Sequence, residues 1–127
     1  MASAPGHLDG PNGIAWDSAG RRFLVVSFTG KAIYQWNPDR DAARILTRGP
    51  GRWDGVEVLG DGRALITSWA DSTLYVLRGS RLSPAIAGLP EPADIGIDTR
   101  RHWVAIPVSS ENRVELWSIP AQQRGEM

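Results

Sequence analysis

The chain has no cysteine among its 127 residues. That excludes disulfides, thiolate metal sites and a cysteine nucleophile. It has a single lysine, Lys31, every other basic residue being arginine. The arginines are scattered and matched by acids, 14 basic residues against 14 acidic ones, so there is no basic stripe and no nucleic-acid partner is expected. No apolar run approaches the length of a membrane span, so no membrane partner is expected either. Met1-Ala2-Ser3-Ala4-Pro5 is too short and too neutral for a signal peptide. The compartment is left open: cytoplasmic, or periplasmic or extracellular if a signal was removed. Helical periodicity is missing too, since no stretch keeps a 3.6-residue apolar spacing beyond two turns. There is no Gly-x-Ser-x-Gly elbow, no histidine pair at helical spacing and no glycine-rich phosphate loop before a helix. Of the two histidines, His7 lies in a glycine-flanked segment and His102 in a turn.

What the chain does have is turns, with 14 glycines and 9 prolines, and short apolar strands between them. It also repeats itself. Asn12-Gly13-Ile14, Asp54-Gly55-Val56 and Asp94-Ile95-Gly96 open three segments, 42 and then 40 residues apart. The first segment reads as strands over 13–17, 21–28, 31–36 and 43–48. The second reads as GVEVL, RALITSW, TLYVLR and SPAIAG, with Gly60-Asp61-Gly62 as a tight first turn. The third gives DIGID, HWVAIPV and RVELWSI and then stops at Pro120. A period near forty built from strands and turns is the pattern of propeller blades. The expected fold is therefore all-β: three β-propeller blades, about 11 antiparallel strands, in one domain over 1–127 with blades at about 10–50, 51–90 and 91–120. The third blade lacks an outer strand, leaving Arg113–Ile119 as an edge; residues 2–8, with Pro5 and Gly6, are a poor candidate to fill it. Leu24-Val25-Val26 reads as a strand buried on both faces, and Ile33 should face opposite to Tyr34 and Trp36. Trp16, Trp36, Trp103 and Trp117 are expected in the core.

In a propeller, repeat-equivalent residues at the start of each innermost strand converge on one mouth of the central channel. On the reading above these are Asn12, Asp54 and Asp94, whose oxygens suit calcium or magnesium. The same residues have a purely structural explanation, because Asn or Asp before Gly is a favoured turn residue whether or not a metal is bound. Loops on the same side carry Phe28, Trp69 and Glu111, and Trp53 precedes Asp54. Together they are candidates for the wall of a small-molecule pocket. Phe28 and Trp69 alternatively pack between blades.

Gly10-Pro11-Asn12-Gly13-Ile14-Ala15-Trp16-Asp17, Trp53-Asp54-Gly55-Val56 and Pro92-Ala93-Asp94-Ile95-Gly96-Ile97-Asp98 with Glu111-Asn112-Arg113-Val114-Glu115 resemble blades of the gluconolactonase/regucalcin (senescence marker protein) family. The resemblance covers residues 8–119 and implies half of a six-bladed propeller. It implies a divalent cation, calcium foremost, with Asn12 matching an asparagine ligand and Asp54 the aspartate; Asp94 joins them by the repeat alone. The family's glutamate ligand has no match. Two functions follow. One is a half-propeller that assembles, as a homodimer completing six blades, into a scaffold whose channel mouth binds a small molecule or cation. The other is a metal-dependent lactone or ester hydrolase, with Asp54 or Asp94 as base and Asn12, Asp54 and Asp94 as ligands.

Overall fold

The computed structural model describes residues 7–40 and 42–122. Residues 2–6, part of the segment considered above for the missing strand, lie outside the described residues. Among the described residues eleven strands form three antiparallel sheets. The first sheet holds β1 (Pro11–Asp17), β2 (Arg22–Ser27), β3 (Ala32–Asn37) and β4 (Ala42–Arg48) in sequence order. The second holds β5 (Trp53–Val58), β6 (Ala64–Ser68), β7 (Thr73–Arg78) and β8 (Arg81–Ile86), also in order. The third has three strands, β9 (Gly96–Asp98), β10 (Trp103–Val108) and β11 (Arg113–Ser118), with a 3-10 turn at Ser109–Glu111. Among the described residues β11 is paired on one side only. Among the described residues no helix is long and apolar enough to cross a membrane.

Period-two alternation decides which residue faces which sheet. Leu24, Val26 and Ile33 point from the first sheet onto Trp53, Val56, Ala64, Ile66 and Leu77 of the second. Leu65 and Leu74, on the reverse side of the second sheet, meet Ile95, Val104, Ile106 and Val108 around the third. Two apolar layers thus separate three sheets. Leu24, Val25 and Val26 are all buried, Val25 on the side away from the second sheet, where Ala32, Tyr34, Phe23 and Leu8 cover it.

The tryptophans distribute differently from the sequence expectation. Only Trp53 is fully enclosed, at 0% exposure; its indole N–H donates to the Lys31 carbonyl at 3.0 Å, and its ring meets Tyr75 edge-on at 5.4 Å. Trp16 is 49% exposed, Trp117 is also exposed, and Trp36 and Trp103 are half-buried. Trp16, Trp36 and Trp103 lie on faces with no sheet against them, and Trp117, opposite Val104, lies on the edge strand β11.

Each first turn is clamped by an aspartate–arginine pair. Asp17 accepts from Arg22 Nε at 3.1 Å, Asp61 from Arg63 Nε at 2.9 Å and Asp98 from Arg101 Nε at 2.7 Å. The paired arginines at 21–22 and 100–101 read from sequence as solvated turn charges. One of each pair is instead tied to an aspartate, while Arg21 takes a positive φ of 55° in the turn.

At two glycines the backbone of one sheet lies directly against that of the next sheet or of the segment entering it. A Cβ on Gly13 would lie 2.1 Å from the Asp54 carbonyl oxygen, and one on Gly55 would lie 2.8 Å from Ile95 N and 2.9 Å from Ala93 O. Both obstacles are backbone, so they cannot swing aside. Gly13→Ala should therefore destabilise the fold by roughly 1–3 kcal/mol, a drop of several degrees in melting temperature. Gly96→Ala, where a Cβ would meet nothing within 4 Å, should leave the melt within about a degree of the parent or raise it slightly. Thermal denaturation of both variants by circular dichroism makes the comparison.

Candidate functional site

The strand ladders define which residues are equivalent in the three sheets. Pro11 pairs with Ser27, Trp53 with Ser68, and Pro92 bridges to Val108. Further in, Ala15 pairs with Leu24, Glu57 with Leu65 and Gly96 with Ala105. The spacing between these two anchors is the same in every sheet. Asn12 and Asp54 therefore correspond to Ala93, and Gly13 and Gly55 correspond to Asp94. The sequence alignment that matched Asp94 with Asn12 and Asp54 is shifted by one residue. Because side chains alternate, a slip of one moves a side chain to the other face. Asp94 stands where the two internal contacts have glycine.

Asn12 and Asp54 do meet. Asn12 Nδ2 donates to the Trp53 carbonyl at 3.2 Å and to Asp54 Oδ1 at 3.4 Å. The approach is possible because Gly13, the next residue, lets β1 lie directly on β5. Behind them Thr67, fully buried, accepts from Gly55 N at 2.8 Å and donates to the Ala93 carbonyl at 3.0 Å. One hydroxyl thus ties the second sheet to the segment entering the third. Ser68 donates to the Gly51 carbonyl at 2.8 Å, Ser27 to the Asp9 carbonyl, and Ser109 to the Glu91 carbonyl at 2.7 Å. These bonds fix the loops at the same end of all three sheets.

Around Asn12 and Asp54 lies a shallow depression of about 450 Å³, walled by Phe28 and Trp69 and completed by Thr29, Gly10 and Pro11. Phe28 and Trp69 meet edge-on at 5.3 Å. The Arg52 guanidinium lies 5.2 Å from the Phe28 ring centre and 5.8 Å from that of Trp69, within cation–π range. Arg52 adopts φ 49°, an uncommon conformation for a residue with a Cβ. Arg52 was not legible as a site residue, since its signal is a positive φ that no sequence pattern marks.

The other sequence candidates lie elsewhere. Trp53 is a core residue and does not reach the depression. Glu111 is exposed in the 3-10 turn and ion-paired to Arg113. Asp94 is exposed and reaches the site through its charge.

Burial pushes the Asp54 carboxyl above its ordinary value, and the Asp94 charge pushes the same way. The nearby Trp69 indole N–H and the Asn12 amide offset this in part, although Trp69 Nε1 closes no hydrogen bond of ordinary geometry. Glu57 is raised too, by burial and then by Asp94. Calcium takes six to eight oxygens. Here Asn12 turns its amide protons toward Asp54, the equivalent position in the third sheet is an alanine, and the described residues hold no group of three or more acidic, histidine or cysteine side chains able to share an ion. The side chains at the repeat positions do not assemble such a cage.

A raised carboxyl is charged at higher cost in the folded than in the unfolded chain. Stability should therefore fall as pH rises from the unfolded-state carboxylate range through the folded pKa of Asp54. Asp54→Asn should flatten that fall and be the more stable protein at pH 7, as read by urea denaturation across pH 4–7. Equal pH slopes in the two proteins would contradict the assignment.

No protein family matches the sequence, and no curated protein matches it. Among solved structures the chain is similar to an extracellular domain of BT4673 from B. thetaiotaomicron, at 16% sequence identity and a TM-score of 0.66. The match takes in 90% of this chain and only 16% of the other, so the chain spans a small part of that domain, and the likeness is one of fold.

Proposed function

We propose that the three sheets are blades of a six-bladed β-propeller completed by a second copy of the chain, and that the assembly serves as a binding scaffold. The observation that carries this is the identity of the two free faces. In each internal joint, the face bearing Leu24 or Leu65 receives the face bearing Ile66 or Ile106 of the next sheet. The first sheet's outward face is the register equivalent of the second kind, and the third sheet's outward face is the equivalent of the first kind. They are the two halves of one joint, left open.

Both open faces are apolar. On the first sheet, Ile14, Val25, Tyr34 and Ile45 form one cross-strand row and Trp16, Phe23, Trp36 and Ala43 another. Ile14 is 54% exposed, and the Trp36 indole N–H finds no acceptor among the described residues. On the third sheet, Val114 and Leu116 are 66% and 57% exposed beside Pro107 and Ala105. Apolar surface of this extent is uncommon on an isolated monomer. A twofold pair would cover both faces twice, and closed twofold pairing is the commonest oligomeric arrangement. The resemblance to six-bladed gluconolactonase/regucalcin-like proteins gives the same count of blades. At the closing joint Asp94 replaces a glycine, so the backbones stay further apart there and the mouth is wider.

The mouth then offers an amide, a carboxylate whose pKa burial raises and an aromatic pair under a guanidinium. That suits binding of a small polar molecule. The hydrolase reading asks for a metal cage that these side chains do not form, and binding is the reading the geometry favours.

Light scattering should give about twice the chain mass of 13.8 kDa. Trp16→Glu and Leu116→Glu, one on each face, should each shift the population to monomer without lowering helix-free β circular dichroism. A parent chain that is monomeric at all concentrations and melts cooperatively would refute ring completion by a second copy.

A further inference from the structure

A second concave site lies at the opposite end of the first sheet from Asn12, and nothing in the mouth accounts for it. The ladder places Arg22, Asn37 and Ala42 in one cross-strand row and Leu24, Gln35 and Arg44 in the next, all on the face turned to the second sheet. Beyond Leu24 the second sheet no longer covers that face. The exposed corner becomes a pocket of about 270 Å³ lined by Arg21, Arg22, Arg40 and Arg44 with Gln35 and Asn37; Gly20 and Ala42 complete it. Arginine makes up half of the lining.

We infer that this corner binds a small oligoanion of the phosphate kind, gripped by the four guanidinium groups. Three properties support the assignment. One cation is held in place before any ligand arrives: Arg22 donates through Nε to Asp17 at 3.1 Å and through Nη1 to Gln35 Oε1 at 2.7 Å. The remaining donors of a planar fork held this way are pre-aimed. Arg21, Arg40 and Arg44 form no ion pair among the described residues. Among the described residues no acid lines the pocket. Asp17, the nearest carboxylate in the clamp, is already engaged by Arg22 and by the Gly20 N–H at 3.1 Å, and Asp39 lines the neighbouring depression on the far side of Arg21 and Arg40.

Guanidinium forks match phosphate oxygens two at a time, which favours phosphate over a point-like anion. The small concave volume and the lack of any continuing basic stripe favour a small molecule over a nucleic acid. The pocket opens on the face turned away from the proposed partner, with Arg21 and Arg40 also bordering the outward depression beside Trp16 and Phe23.

Isothermal titration calorimetry of the full chain with inorganic pyrophosphate tests this. Saturable binding is expected. Arg44→Ala should weaken it by about tenfold, the effect of losing one charged hydrogen-bonding partner, with Arg44→Lys falling between. Arg100→Ala, an exposed arginine in another turn, should leave it unchanged. Thermal melts should show all three variants folded, because Arg44 and Arg100 are at the surface. Absence of saturable heat at millimolar pyrophosphate would overturn the inference, as would an equal loss in Arg100→Ala. Citrate, a carboxylate oligoanion, should bind more weakly; equal or tighter citrate binding would overturn the phosphate assignment.

Discussion

The architecture depends on backbone meeting backbone at Gly13 and Gly55. Where a side chain would occupy the gap, neighbouring sheets stand apart at the distance their apolar layers set. At these two points the chain comes close enough for Asn12 to reach Trp53 and Asp54, and for Thr67 to span from Gly55 to Ala93. The polar contacts of the candidate mouth are consequences of that approach. So is the partial burial that raises Asp54, because a carboxylate at a close joint loses water it would keep on an open edge.

The same contact explains the asymmetry of the molecule. Each internal joint has a face that gives and a face that receives, and a stack of three sheets leaves one of each kind unused. The interior pairs, Leu24 and Val26 against Ile66 and Ala64, are aliphatic and close-packed. The unused face of the first sheet is aromatic, with Trp16, Phe23 and Trp36 packed in series at 4.9 and 5.7 Å. Aromatic rings cover wide area at little cost in conformational freedom, which suits the face that the proposed second copy would cover.

The repeat, the strand count and most strand positions were legible in the sequence, because alternation and glycine-rich turns are local signals. Ile33 opposite Tyr34 and Trp36, and Leu24-Val25-Val26 buried on both faces, are cases where the local pattern was sufficient. The site was only half legible. Asn12 and Asp54 meet as the motif implies, and Phe28 and Trp69 wall the depression. Asp94 was misaligned because the Asp and Gly letters of the third segment imitate the motif in the wrong register. Pro92, matching Pro11, was the better anchor. Trp53 was misplaced for a different reason: its neighbour faces the mouth, so by alternation it must face the core. Arg52 and the arginine corner depend on a turn conformation and on cross-strand rows, which no linear spacing reveals.

Neutral overall charge conceals a division along the strand direction. Antiparallel order puts the turns after β1, β3, β5, β7 and β9 at one end, where Arg21, Arg22, Arg40, Arg63, Arg100 and Arg101 stand with Asp17, Asp39, Asp61 and Asp98. The opposite end carries Asp9, Asp54, Asp71, Glu91, Asp94 and Glu111 together with Lys31, Arg48, Arg52 and Arg113. The two ends therefore differ in the ligands they tolerate. An anion at the mouth would face Asp54, raised by burial first and then by the Asp94 charge, whereas a cation would offset that charge. At the far end Asp17, Asp61 and Asp98 are each taken up by an arginine, and Arg21, Arg40 and Arg44 line the corner pocket. Each cross-turn clamp neutralises one charge of each sign, so the excess in the first sheet is set by how many arginines exceed the clamp. Two sites of opposite preference on one small scaffold follow from this arithmetic of pairing and require no net charge.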